Sequence, residues 1–472
     1  MSASRRAFLK SAATAAIAAA VGRIAWPVVA RAQTAGGFIH CVITDASGNR
    51  FSGGPTVAWG NQSGSPVITI DASKTRQTIF GFGSALTDAA CFTLNQLAAP
   101  AREKLFRELF SPDQMGLGVC RLCIGASDYS TELYSYDEGV PDPTLSRFSI
   151  EHDRSNILPI LRQARVANPN LFFFASPWSP PGWMKYGGSM LGGTIKPQNL
   201  ETYAHYILKY LQAYESAGVT VDAITIQNEV DADQAGAMPA CPWPQEVEIE
   251  YIADYLGPLL SKSSPRTKIW ILDHNYDLVG RVLDQLAKPE VKKYISGIAW
   301  HGYSGTPDQM TIAQKAYPDL DMYWTEGGSD YNAPDYLTNW CKWSSTFCEI
   351  LQNGPRSITT WNLALDEHGK PNIGPFACGG LITVHSQSHE IIRSGMYWAL
   401  SHYSRAFRPG AKIIETQGNI AGVSHIAAQN PDGSIFVIVT NPGAAQPVRI
   451  ACGKMAATIQ LSADSVTTLW FN

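Results

Sequence analysis

Short apolar runs alternate with helix-period segments through most of the chain. The runs cover residues 79–85, 116–125, 171–176, 223–227, 269–273, 297–301, 322–325 and 358–363. Each ends in polar or aromatic residues and is followed by a segment with helical patterning, a rhythm that predicts parallel strands covered by helices. Eight such units predict an α/β fold of the closed (β/α)8 type, a TIM barrel. The helix ahead of the fourth run is the clearest: Tyr203, Ile207, Leu211 and Tyr214 share one face, and Gly218 follows as a stop signal.

Beyond Arg408-Pro409-Gly410 the pattern becomes purely β. Strands are expected over 423–427, 434–440, 448–451 and 466–471, with turns at Asn430-Pro431-Asp432-Gly433 and Asn441-Pro442-Gly443. The stretch 38–71 also reads as strands broken by Gly, Ser and Pro, and is too short to enclose a core of its own. The expected organisation is therefore a barrel over 76–402 inserted between two parts of a side β-sandwich, one from 37–75 and one from 403–472.

Composition narrows the partners. Charged residues are 16% of the 472, below the usual share of about 25%, and the net charge of -4 comes with no Lys/Arg run longer than a pair. Such a surface lacks the positive field that neutralises phosphates, which excludes nucleic acid as a partner class. The N-terminus reads Ser4-Arg5-Arg6-Ala7-Phe8-Leu9-Lys10, then an apolar run over 12–21, then Ala30-Arg31-Ala32. This predicts a twin-arginine export signal over 1–32 and a periplasmic or secreted mature protein starting near Gln33. The apolar run is too short for the ~20 residues of a spanning helix, so no membrane segment is expected in the mature chain. Nine cysteines, an odd number scattered through a large chain, do not form a disulfide framework. Cys120-x-x-Cys123 lies in a buried run with no second pair after it, and reads as two small hydrophobes. No metal or other cofactor is expected.

Barrel enzymes carry their reactive groups where strands end, so an acidic residue just after an apolar run is the first signal to seek. Glu229 closes Ile224-Thr225-Ile226-Gln227-Asn228-Glu229, and Glu326 closes Met322-Tyr323-Trp324-Thr325-Glu326. A single glutamate there can simply cap a helix. A pair from the fourth and seventh strands can meet across the mouth, as retaining glycoside hydrolysis requires: two carboxyl groups about 5–5.5 Å apart, one protonated and one ionised. Their pKa values must be driven apart, the acid raised by burial and by its neighbour's charge, the nucleophile kept ionised by hydrogen bonds. Tyr303 is placed to donate to Glu326, and the Asn228 amide to bond a sugar 2-hydroxyl. Trp178, Trp183, Trp300, Trp324 and Trp361 lie at or near strand ends, and Trp178 and Trp361 are best placed to form an aromatic floor for a pyranose.

Four motifs together carry a family resemblance: Gly81-Phe82-Gly83-Ser84-Ala85-Leu86-Thr87-Asp88-Ala89-Ala90, Ala175-Ser176-Pro177-Trp178-Ser179-Pro180-Pro181-Gly182-Trp183-Met184-Lys185, Gln227-Asn228-Glu229 and Thr360-Trp361-Asn362-Leu363-Ala364-Leu365. With them the chain resembles glycoside hydrolase family 30, in its glucosylceramidase-like branch. The resemblance implies a barrel with a sandwich built from both chain ends, a two-step retaining mechanism and no metal. It further implies Glu229 as acid/base and Glu326, in Trp324-Thr325-Glu326-Gly327, as nucleophile. Asp128 matches an acidic residue that binds sugar hydroxyls, Trp178, Asn228 and Trp361 match sugar-contacting positions, and Arg121, His301 and Tyr303 match positions that line the pocket and orient the glutamates. Ile373-Gly374-Pro375-Phe376-Ala377-Cys378 departs from the lysosomal-type loop, where an asparagine contacts sugar. The implied substrate is a carbohydrate or glycolipid β-glucoside of the glucosylceramide type. A β-1,6-glucan, a β-xyloside or a β-fucoside is the alternative, to be decided by the loops 190–196 and 366–378. A carbohydrate-binding protein without turnover is the non-enzyme alternative, and it would not need an opposed pair of glutamates.

Overall fold

A computed structural model of the chain describes residues 37–60, 64 and 67–472, and the expected export signal lies outside them. Eight parallel strands close into a barrel in sequence order: Gly81–Ala85, Val119–Ile124, Phe172–Pro177, Ala223–Thr225, Lys268–Asn275, Ile295–His301, Asp321–Glu326 and Ser357–Thr360. Each falls on one of the eight apolar runs. The helix at Leu200–Ser216 buries Tyr203, Ile207, Leu211 and Tyr214, as the i, i+4 spacing requires.

Side chains alternate along a strand, so residues two apart fill successive layers of the barrel interior. Val119, Phe174, Ala223, Trp270, Ala299 and Tyr323 form one apolar layer, tied by the stack of Trp270 on Tyr323 at 4.0 Å. Two positions further along, the same strands place Arg121, Ser176, Thr225, His301 and Thr325, all buried. The fifth strand breaks the count. Leu272 and Asp273 both adopt positive φ, 74° and 51°, and the register against the sixth strand slips between Ala299 and Trp300. This bulge turns Asp273, three residues after Trp270, into the polar layer; such irregularities commonly re-aim a side chain beside an active site.

Of the remaining strands, Ala364–Leu365, Ile382–Val384 and Ile391–Arg393 form a small three-stranded sheet and the other ten form one large sheet. Phe38–Asp45 pairs antiparallel with the last strand, Ser465–Phe471, and Val67–Thr78 pairs with both Lys412–Gln417 and Gln446–Cys452. Residues from both ends of the strand order, among them Ile39, Ile43, Val448 and Leu461, share one apolar cluster, so the sheet folds over on itself into two layers. The chain's two ends thus build the sandwich together. Lys412–Gln417 and Met455–Leu461 are strands that the apolar pattern did not announce. All nine cysteines are free. Among the described residues no helix is long and apolar enough to cross a membrane.

The helices Trp340–Gln352 and Gly395–Ala406 join barrel to sandwich. Trp340 donates its indole N–H to the Asp464 carbonyl at 2.9 Å. His402, fully buried, lies 2.7 Å from the Thr468 hydroxyl and 3.0 Å from that of Thr44, so one imidazole ties a barrel helix to the first and last strands of the sandwich. Burial, and then the charge of Arg405, pulls the His402 pKa down to about 3. An unfolded chain would take up this proton near pH 6.5. Below that pH the unfolded state binds a proton that the folded state refuses, so folding stability should drop as pH falls from about 6.5 toward 3, by about 1.4 kcal/mol per pH unit from this group. Urea unfolding of wild type and His402→Leu across that range should show the shallower slope in the variant.

Candidate active site

The polar layer of the barrel is organised around Arg121. Its guanidinium, wholly removed from solvent, donates to Glu326, to Asp273 at 2.7 Å, to the Asn228 side-chain oxygen at 2.7 Å and to the Ser176 hydroxyl at 3.1 Å. One of its faces lies 4.7 Å from the Trp178 ring. Burial alone would drive the proton off. The facing carboxylates of Asp273 and Glu326 reverse this and hold the cation more firmly than in water.

Asp273 is the second hub. It accepts from Arg121, from the hydroxyls of Ser176 at 2.6 Å, Thr225 at 2.7 Å and Thr325 at 2.8 Å, and it lies 3.0 Å from His301 Nε2. Burial would raise its pKa, but Arg121, His301 and these donors hold it far below the usual carboxylate range. Nothing in the sequence reading singled it out, although its position at the end of the fifth run is the same signal that marks Glu229 and Glu326.

Both glutamates face one cavity of about 300 Å³, whose walls include Asp128, Trp178, Asn228, Tyr303 and Trp361. Glu326 receives hydrogen bonds from Arg121 and, at 3.0 Å, from the Tyr303 hydroxyl. Glu229 sits on a backbone with φ of 54°, its N–H given to the Asp273 carbonyl at 3.0 Å, so the bulged fifth strand also fixes where this glutamate starts. Gln234 donates to its Oε2 at 3.1 Å. His301 touches both carboxylates: Nδ1 is 3.4 Å from Glu229 and Nε2 is 3.9 Å from Glu326. A single imidazole therefore spans the two.

The electrostatics differ from expectation in one respect. Burial raises the Glu229 pKa, but the hydrogen bond from His301 and the positive charges of His301 and His274 outweigh it, leaving Glu229 below its ordinary value. His301 is the counterpart: burial lowers its pKa, while Glu326, Asp273 and Glu229 together hold it up at about 9. The proton at this end of the site is thus held by a carboxylate–imidazolium pair rather than by an isolated, raised carboxyl.

Asp128 is the carboxyl whose pKa is raised well above the ordinary value, by burial first and then by the charges of Glu326 and Glu229. Its Oδ1 has no partner within the protein and the side chain lines the cavity, an unmet polar group where sugar hydroxyls could bind. Trp178 and Trp361 stack on each other at 5.2 Å and both border the cavity. The other three tryptophans do not border it; Trp300 and Trp324 are buried, and Trp183 donates to the Asp137 carbonyl at 2.8 Å. Arg121 and His301 also differ from the expectation that they line the pocket: both are fully buried and reach the carboxylates from behind its wall. His274, Met238 and Phe376 border the cavity without having been anticipated: loops bring Met238 and Phe376 there, and His274 stands near the end of the fifth strand, just after the bulge. The loop that departs from the lysosomal pattern packs directly on the site, Ile373 donating its N–H to the Asp128 carbonyl at 2.8 Å.

The sequence profile of the glycosyl hydrolase family 30 TIM-barrel domain matches residues 79–407, and that of the family 30 beta sandwich domain matches 410–469. The chain belongs to glycosyl hydrolase family 30. Within that family it is similar to an endo-1,6-beta-D-glucanase of Neurospora crassa, 33% identical over 79% of this chain and 81% of the relative. It is also similar to putative glucosylceramidase 2 of Caenorhabditis elegans, 30% identical over 85% and 83% of the two chains. The lysosomal acid glucosylceramidase of Mus musculus is 29% identical over 79% and 77%. A solved endo-beta1,6-glucanase superposes with a TM-score of 0.83 over 92% of this chain and 99% of its own at 24% identity, a likeness of fold. The chain is therefore a glycoside hydrolase acting on carbohydrate.

Replacing Asp273 by Asn should leave Arg121 and His301 without their shared anion and let both glutamates drift. Since misplacement of reacting groups by about 1 Å costs on the order of 100-fold in rate, kcat for an aryl β-glucoside should drop by about that factor with KM little changed. Unaltered kcat in Asp273→Asn would show that the frame does not position the carboxylates.

Proposed function

We propose that the protein is a retaining β-glucosidase-type hydrolase in which Glu326 is the nucleophile and Glu229 the acid/base. The observation that carries this reading is the convergence of the two carboxylates on one cavity, with Arg121 and Tyr303 bonded to Glu326 and His301 set between the pair. Two donors, Arg121 and the Tyr303 hydroxyl, hold Glu326 aimed at the cavity. In the first step its carboxylate attacks the anomeric carbon while the glycosidic C–O bond breaks, and the proton shared by His301 and Glu229 passes through Glu229 to the departing oxygen. In the second, Glu229 takes a proton from water as that water displaces Glu326 from the sugar carbon, restoring both groups with net retention.

A cavity of about 300 Å³ is at the small end for ligand sites and suits one sugar ring, floored by Trp178 and Trp361 and gripped by Asp128 and Asn228. Glucose is the sugar named by the glucanase and glucosylceramidase relatives alike, and the glucosylceramide-type β-glucoside is our first reading of the substrate. A β-1,6-glucan is the second, favoured by the endo-1,6-glucanases among the relatives and by the altered 373–378 loop against Asp128. Export through the twin-arginine signal, to the periplasm or the medium, is proposed from the N-terminal sequence alone.

Glu326→Gln should abolish turnover of an aryl β-glucoside. Glu229→Gln should lower kcat by about 10²–10⁴-fold, with azide restoring rate, since general acid–base assistance contributes on that order. Wild-type-like hydrolysis by Glu326→Gln would remove the assignment, and no turnover by wild type on any β-glycoside would favour the binding-protein alternative. Assayed on glucosylceramide and on pustulan, the wild-type protein should release glucose from the former if the first reading holds. Hydrolysis of pustulan alone would establish the second.

A further inference from the structure

Beside Glu229 lies a histidine, His274, that the proposed glycoside cleavage does not use. His274 Nδ1 is 3.8 Å from Glu229 Oε1, and His301 Nδ1 is 3.4 Å from the same oxygen. All three ligand atoms fall within 4.8 Å of one another, and no other such cluster of three occurs among the described residues. His274 is 6% exposed, and its Nδ1 has no hydrogen-bond partner in the protein.

The far nitrogens of both rings are already committed to carboxylates. His274 Nε2 is 2.6 Å from Asp231 Oδ1, and His301 Nε2 is 3.0 Å from Asp273 Oδ1. An ionised carboxylate only accepts, so each Nε2 carries a hydrogen, and a cation binding beside Glu229 displaces the Nδ1 proton that His301 shares with Glu229 and takes the Nδ1 lone pairs of the two rings. This carboxylate–histidine arrangement is what orients imidazoles and raises their basicity in transition-metal sites. Two histidines and a glutamate are also the donor set of open, catalytic-type zinc sites, whose remaining position is left to water.

From this geometry we propose that Glu229, His274 and His301 form a binding site for a borderline divalent cation of the zinc type. Bonds of about 2.0–2.1 Å place tetrahedral ligand atoms about 3.3 Å apart. Two of the three separations, 3.4 and 3.8 Å, are within half an ångström of that, and the third, between the two rings, is no more than 4.8 Å and closes by a movement of the His274 ring. Glu229 and His274 border the cavity, so the ion has a path in, and its open position faces the sugar-binding space. Magnesium is not a fitting occupant, because it takes oxygen donors and near-octahedral geometry. The ion is an inhibitor rather than a cofactor: it coordinates the oxygen of Glu229 that must carry the proton to the leaving group. That inhibitory consequence rests on the acid/base reading of Glu229, whereas the site itself does not.

The test uses the full-length mature protein after treatment with EDTA and desalting. Calorimetric titration with ZnCl2 should show one strong site per chain and MgCl2 none, and CoCl2 should produce visible d–d absorption of a four- or five-coordinate ion. His274→Leu should lose the cobalt spectrum and weaken zinc at least tenfold. Asp231→Asn, a change at a half-exposed side chain that leaves the ligands in place, should weaken zinc about 10–100-fold. Zinc should stop aryl β-glucoside hydrolysis over the same concentration range that fills the site, reversibly with EDTA. Absence of zinc uptake, or equal affinity in wild type and both variants, overturns the site. Uptake that depends on His274 and Asp231 but leaves hydrolysis untouched upholds the site and counts instead against Glu229 as the acid/base.

Discussion

A buried guanidinium is the constraint from which the rest of this site follows. Arg121 has no solvent to stabilise its charge, and a charge in such surroundings is tolerated only when it is paired and hydrogen-bonded. Asp273 and Glu326 neutralise it, while Ser176 and Asn228 take two of its remaining donors. Removing either acid would leave buried guanidinium donors without their charged acceptor, so the network holds its members in one geometry. Glu326 is therefore placed by the same forces that make the barrel interior tolerable, and Asp273 passes the constraint on to His301 and, through its carbonyl, to the backbone of Glu229.

The two ends of the barrel divide the work accordingly. Below the polar layer, Phe174, Trp270 and Tyr323 fill the interior with close-packed rings and give the strands a rigid base. Above it, the groups that border the cavity stand on strand ends and loops: Glu229, Asn228, Tyr303, Asp128 and the Trp178–Trp361 pair. The sandwich sits apart from this chemistry. Its link to the barrel through His402, Thr44 and Thr468 explains why a domain with no residue at the site is made from both chain ends: the first and last strands are fastened to the same barrel helix.

Much of this was legible in the sequence because barrel strands are buried on both faces and appear as continuous apolar runs, which marked all eight. Glu229 and Glu326 were found by the rule that reactive groups follow such runs. Asp273 met the same rule yet went unremarked, since only the bulge at Leu272, invisible to a period-2 pattern, turns it inward toward Arg121. Gln234 and Phe376 reach the cavity by loop geometry, which no spacing encodes, and His274 reaches it from the fifth strand just after the same bulge. The strands Lys412–Gln417 and Met455–Leu461 escaped for a simpler reason: four of the six residues of the former are charged or polar and the latter mixes alanine and threonine among few large apolar groups, so neither stands out as an apolar run. The lowered pKa of Glu229 could not be foreseen either, because it depends on His301 and His274, brought there from other strands.

The central claim is that Glu326, fixed by Arg121, forms a covalent bond to the sugar. Incubation with an activated 2-deoxy-2-fluoro-β-glucoside, which slows the second step more than the first, followed by peptide mass spectrometry, tests this directly. The account predicts one fluoroglucosyl group per chain, carried by the peptide containing Glu326 and attached at that residue. A label on Glu229 or Asp128, or turnover of a β-glucoside with inversion and no label at all, would contradict it.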